Sequence, residues 1–552
     1  RLLVPLLRGL ERTGRRGPLA SRLAALSLAR NPGHATIAVT FLVVSLGLAL
    51  FAAVYRSTLE SGQRDQAAYA VPADYVLSED LSQLVPVSQV PAPAGSLPVV
   101  RQSGDVSRLE TSQGADVLGI PAGDWTRLTG WRSDFSSKPL ARLAAAVRPA
   151  QPVSLRTVAL PAAARRLELA VSGRGYPIRV RAIVRLSKGD FATVTLGETP
   201  FAGAGVLRAA LPRGSAALLG FQIEEVATGL HGAANGGTGI QPTANGTVRL
   251  GPLRADGRAL PVDWSAWDGI GGVAGEGGGT IRYALTPSVD SSFRLRQPTD
   301  GVPVPAVVSP ALARAAGKDG LLPFDISGER VVLRIAGVAV HFPGATQPDF
   351  VVADEGTLST ALNSELPGLG EPNELWVNGS GAAFGKPPYT LLSVQSRAQV
   401  ESQLRGDPLA RGALLVLAGT ALVALVLAVV GLLLGLLADM SDESGELFDL
   451  ETQGAEPSLL RRHLRLRTLV VAAVGVLGGI AAGAVLSALV LDLVRVTANV
   501  AAPQPPLALT LDWRIVGIGA AGFVALGAAA LALATWVGFR SRAAGRFREV
   551  GA

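Results

Sequence analysis

The 552 residues contain no cysteine, which excludes both a disulfide framework and a thiolate metal site. Lysine is nearly missing too, with only Lys138, Lys188, Lys318 and Lys386, so arginine carries the positive charge. Methionine occurs once, at Met440, and the four histidines, His34, His231, His341 and His463, fall at no metal-ligand spacing. Charged residues make up 17% of the chain. With a mean hydropathy of +0.36, that is too apolar for an ordinary soluble protein, and the class expected is integral membrane. The net charge of +7 raises nucleic acid as a partner. The arginines, however, gather beside apolar runs and not in a patch with interleaved aromatics, so membrane lipid is the expected partner and nucleic acid is not.

Catalytic patterns are lacking as well. "GAAFGKPPY" fails as a phosphate loop, because its glycine spacing is one short, no Ser or Thr follows Lys386, and Pro387 and Pro388 block the helix. The glycine-rich Gly269 to Thr280 is expected to be a flexible loop, and no Gly-x-Ser-x-Gly elbow is present. "NGT" at Asn245 and "NGS" at Asn378 are read as turns. The chain is therefore expected to be no enzyme, with no catalytic, cofactor-binding or metal-binding residue.

Four long runs free of Asp, Glu, Lys and Arg are present: residues 35–55, 412–438, 468–491 and 515–539. Each is long enough to cross a hydrocarbon core of about 30 Å, and buried helices of a soluble core rarely run so long with every face apolar. The fold class expected is an integral membrane α-helical protein of four transmembrane helices, with a large extracytoplasmic α+β domain carrying an inserted all-β sandwich or jelly roll. Arginines before the first run (residues 1–34), between the second and third (439–467) and after the last (540–552) place these segments and both termini in the cytoplasm. The short loop 492–514 and the whole of 56–405 then lie outside.

Within that large region the α+β domain is expected over 56–150 and 298–405, and the sandwich over 151–297. "RVVLRIAGVAVHF" reads as paired strands, "DFVVADEGTLSTAL" as strand then helix, and "NELWVNG" as a final strand. In "PIRVRAIVRLS" apolar residues alternate with Arg179, Arg181 and Arg185, which predicts a strand with a core face and an arginine face. In the third apolar run Gly475, Gly478, Gly479 and Gly483 stand at a spacing that lets a second helix approach closely. None of the four runs holds an Asp, Glu, Lys, Arg or His, which argues against an ion or proton path.

"FDLETQGAEPSLLRRHLRLR", Phe448 to Arg467, predicts a short amphipathic helix, a break at Gly454 and Pro457, and a second helix capped by Ser458. Together with "TLVVAAVGVLGGIAAGAVL" it resembles the end of the FtsX-like (MacB/LolCE-type) ABC transporter permeases, and "LARNPGHATIAVTFLVVSLGLALF" is similar to that family's entry into its first span. The resemblance implies a permease subunit working with a separate cytoplasmic ATPase, which binds the ATP and Mg, in the bacterial plasma membrane. Leu450, Gly454, Ala455, Leu459 and Leu460 would then form the element that couples to the ATPase. The expected work is movement of the outer domain, for export or extraction of a lipid, lipoprotein or peptide or for regulation of an envelope enzyme. The start "RLLVPLLRGLERTGRRGPLASRLAALSLARNPG" resembles the junction of two permease repeats, so the chain is expected to be the second half of a duplicated permease, pairing with its other half or with a copy of itself. The alternative is a membrane-anchored envelope sensor or carbohydrate-binding protein with no ATPase partner.

Overall fold

The structure, a computed structural model, describes residues 32–106, 114–226, 244–286, 289–442, 457–491 and 503–508, with scattered residues between 513 and 529. By internal contacts the chain divides into a helical unit, Arg1–Ala67 with Val400–Ala552, and a strand-rich unit, Ala68–Gln399.

In the helical unit, three helices are long and apolar enough to cross a membrane, with spanning windows in Val39–Ala70, Pro408–Leu427 and Leu469–Leu489. The first belongs to helix Pro32–Ala70, whose 39 residues extend roughly 58 Å at 1.5 Å per residue, well beyond one hydrocarbon core. Hydroxyls inside the apolar stretch stay satisfied by the helix itself, Ser45 donating to the Leu42 carbonyl and Thr40 to that of Thr36. Val39, Leu42, Leu46 and Leu50 make a seam that buries Val471 of helix Pro457–Leu491, with Leu425 and Val429 of helix Pro408–Asp442 packed on it.

The expectation of a four-helix membrane protein is overturned. The described residues are about as much strand as helix, 34% against 33%, with three spanning candidates among them. The run 515–539 lies, apart from scattered residues, outside them. Counting apolar runs weighs only the segments a bilayer would hold, whereas as much of the described chain is strand as helix.

The α+β domain expected over 56–150 and 298–405 contains a closed barrel not expected from the sequence. A nine-stranded sheet runs in the order Leu321–Ile326, Glu329–Val338, Val304–Val308, Phe350–Asp354, Ala115–Ile120, Leu97–Asp105, Glu374–Val377, Tyr75–Glu79, Leu392–Ser396. Its first and sixth strands also pair, Asp325 opposite Asp105 and Ile326 opposite Gly104. Six strands thereby close into a barrel, and closure removes the edges an open sheet would leave unpaired. Val100, Val117, Phe324, Leu333 and Val351 belong to its core, joined by Leu358 and Leu362 of helix Glu355–Glu365. That helix starts where Asp354 accepts from the Thr357 amide at 3.2 Å, a side-chain cap at the end of a strand.

Between Val158 and Leu295 the chain builds two antiparallel six-stranded sheets that share one core, including Leu169, Val184, Phe221, Val248, Trp267 and Phe293. Phe221 and Trp267 stack with ring centroids 5.5 Å apart. Strand Ile178–Leu186 buries Ile178, Val180, Ala182 and Val184 and leaves Arg179, Arg181 and Arg185 half-exposed. Three local expectations fail, the first being Asn245, read as a turn, which lies inside strand Ala244–Ala255. The glycine-rich stretch expected to be a loop supplies strands Trp267–Ile270 and Val273–Gly277, and "RVVLRIAGVAVHF" forms one strand, Glu329–Val338, not a pair.

Candidate transmission site

The strand-rich unit is a single insertion in the helical unit, so whatever passes along the chain between them passes through its two ends. Those ends are adjacent. The first strand, Tyr75–Glu79, pairs along its length with the last, Leu392–Ser396, Tyr75 facing Ser396. Just outside the pairing, Asp74 and Arg397 form an ion pair, and the Arg397 amide donates to the Asp74 carbonyl at 3.0 Å. Arg397 also donates to Thr129 Oγ1 at 2.7 Å, and Thr129 donates to the Pro72 carbonyl at 2.8 Å. The free oxygen of Asp74 accepts from the Gly379 amide at 2.8 Å. Entry strand, exit strand and two loops thus meet on one charge pair, whose charge-assisted bonds are stronger than neutral ones.

Glycines govern the contact between the first and third of the three long apolar helices, Pro32–Ala70 and Pro457–Leu491. A Cβ built on Gly475 would lie 2.8 Å from Leu42 Cβ, one on Gly478 2.7 Å from Val43 Cγ2, one on Gly479 2.7 Å from Leu46 Cβ, and one on Gly483 3.0 Å from Leu50 Cβ. Real Cβ atoms do not approach so closely at Gly475, Gly478 and Gly479, so something must shift if a Cβ is added there, and at Gly483 a Cβ would fit only if Leu50 gave way by a few tenths of an ångström. The structure therefore brings Gly475, Gly478, Gly479 and Gly483 onto one face against helix Pro32–Ala70. Of the expected ATPase-coupling residues, Leu450, Gly454 and Ala455 lie outside the described residues. Leu459 and Leu460 open helix Pro457–Leu491.

Inside the strand-rich unit, helix Glu355–Glu365 is held at its C-terminus by the two-sheet part, and Arg185 of that part acts electrostatically on the carboxyls near its N-terminus. At its C-terminus Arg294, with a side chain 5% exposed, donates through both terminal nitrogens to Asp300 at 2.9 Å and through Nη2 to Glu365 at 3.2 Å. This triad borders a cavity of about 540 Å³ that Thr299, Val302, Leu321 and Ser364 also line. At the N-terminus, burial pushes Glu355 up to about 7, with Asp354 and Glu371 adding to the rise and Arg185 opposing it. Burial also raises Glu371, against Arg185 and a hydrogen bond from Asn363 at 3.1 Å. Burial thus holds protons on both carboxyls to higher pH than on isolated carboxylates, with Arg185 opposing the rise at each.

Sequence reasoning missed Asp74, Arg397, Arg294 and Glu355. Each is an ordinary polar residue in its own segment, and a decisive partner lies far along the chain, Arg397 for Asp74, Glu365 for Arg294 and Arg185 for Glu355. Among the described residues, no group of three or more His, Asp or Glu is placed to hold a metal ion. No family model matches the chain, and no curated protein matches it.

Proposed function

We propose that the chain is the membrane-spanning permease subunit of an ABC transporter, resembling the FtsX-like group. In this reading a separate cytoplasmic ATPase hydrolyses ATP and the strand-rich unit moves in response. The movement exports or extracts a lipid, lipoprotein or peptide, or switches an envelope enzyme. The observation that carries the reading is the clamp at Asp74 and Arg397. A unit attached through two neighbouring, hydrogen-bonded strands receives any displacement of one attachment relative to the other as shear on a single strand pair. The apolar surface of helix Pro408–Asp442, with Leu415, Leu422 and Val423 exposed, supports pairing in the bilayer with a second permease half or a second copy.

The test is purification of the chain from its native membrane, followed by assay of the preparation for ATP hydrolysis. A co-purifying ATPase whose turnover responds to the strand-rich unit supports the reading. Replacing Gly454 by Leu is expected to preserve that association and uncouple hydrolysis from movement of the unit, followed by a fluorophore on the strand-rich unit. Purification without any ATPase would leave a membrane-anchored sensor in its place.

A further inference from the structure

The two sheets that share the core differ sharply on their solvent faces. On one, Arg179 and Arg181 are matched by Glu198 at 2.9 Å and Glu224 at 2.8 Å. On the other, strands Arg166–Gly175 and Ala244–Ala255 run side by side at the centre and carry Arg166, Arg174, Arg249 and Arg254, all exposed. None of these four guanidinium groups has an ion pair among the described residues. Flanking strands add Arg208 and Arg282, whose partners are Glu168 and Glu276.

Register fixes how they are arranged. Arg174 lies opposite Thr247, Arg249 opposite Ser172, and Arg254 opposite Glu168, so the cations step along the strand axis and not across it. From Arg174 to Arg166 the row covers roughly 27 Å at about 3.4 Å per residue. Between them lie Glu168, opposite Arg254 and 3.4 Å from Arg208, and small side chains, Ala170, Ser172 and Thr247 with Ala204 beside them, which leave the guanidinium groups accessible and offer hydroxyls. A row of unpaired arginines raises the local concentration of anions and binds phosphoryl oxygens through paired N–H donors.

We propose that this sheet face binds a linear polyanion of linked phosphoryl groups, laid along the two central strands. A bilayer surface fits less well. Among the described residues the face between the arginines exposes Val206, beside Ala170, as its one large apolar side chain, and the exposed aromatic pair Tyr176 and Phe201 sits only at the Arg174 end.

The experiment uses the full chain in nanodiscs of zwitterionic phosphatidylcholine, with labelled long-chain inorganic polyphosphate followed by fluorescence anisotropy over a salt series. Replacing Arg174, Arg249 and Arg254 together by Gln is expected to weaken binding about tenfold or more and to reduce the salt slope by roughly one per arginine removed. Replacing Arg179 and Arg181 by Gln on the other sheet is expected to change neither. Should the triple variant fail to fold, Arg249→Gln alone must still lower affinity and slope. Equal binding by wild type and variant overturns the proposal, because the basic segments elsewhere in the chain then account for it. Binding that requires phosphatidylglycerol vesicles and ignores polyphosphate also overturns it and makes the face a membrane contact.

Discussion

Asp74 and Arg397, more than three hundred residues apart in sequence, form an ion pair at the point where the strand-rich unit begins and ends. Their side chains are 35% and 27% exposed, so solvent screens part of the attraction. The pair matters chiefly through the bonds it organises, because Asp74 also holds Gly379 and Arg397 also holds Thr129.

Asp74→Ala is expected to destabilise the strand-rich unit by about 1–2 kcal/mol, the loss of a few hydrogen bonds at a half-exposed site. Urea unfolding followed by tryptophan fluorescence measures this. Hydrogen exchange should show the loss concentrated in Tyr75–Glu79 and Leu392–Ser396, and uniform loosening of the whole unit would contradict the local role.

Arg294→Met is expected to cost about 3–5 kcal/mol, because Asp300 and Glu365 would keep their charges beside the emptied position. Arg294→Lys should recover little, since one ammonium cannot reproduce the two-nitrogen grip on Asp300. The same unfolding assay ranks the two variants, and near-wild-type stability for either would remove the triad as the fastening of helix Glu355–Glu365.

Glu355 sets a pH dependence. Its folded-state value of about 7 stands above the ordinary 4.5, so the unfolded chain gives up the proton first as pH rises. Stability should therefore fall with rising pH between about 4.5 and 7 and then level off, a loss of at most about 3 kcal/mol. Glu355→Gln is expected to flatten this part of the profile and to stabilise the protein at pH 8. An unchanged slope in the variant would assign the dependence to Glu371 or another group.

The cysteine-free chain makes helix contact measurable. A Cβ on Gly47 would lie 3.2 Å from Ala482 Cβ, near the spacing of disulfide partners. Gly47→Cys with Ala482→Cys should cross-link on mild oxidation. Adding Gly479→Leu should force the helices apart and suppress the cross-link, and persistent cross-linking would show that the contact does not depend on that glycine.

Local pattern carried much of this architecture. The alternation from Ile178 to Leu186 marks its strand and its buried face correctly, and "DFVVADEGTLSTAL" divides into strand and helix at Asp354, where the cap sits. The glycines of the third run announce close approach because small residues at helical spacing have few other uses in lipid. What stayed hidden depends on distant segments or on irregular geometry. Nothing near Asp105 or Asp325 reveals that their strands meet and close a barrel. Arg249 and Arg254 stand five residues apart, which in a regular strand puts them on opposite faces. A bulge between Leu250 and Leu253 supplies the extra residue that turns both to solvent.

Barrel closure also bears on the order in which the protein is made. Strand Ala115–Ile120 lies parallel to Phe350–Asp354 at the centre of the nine-stranded sheet, and the ribosome must deliver the whole two-sheet part before that second strand exists. The two sheets take all their strands from Val158 to Leu295 and can complete their core while the early barrel strands wait unpaired. An assembly factor that shields nascent strand edges would therefore be needed most while residues 115–350 are emerging.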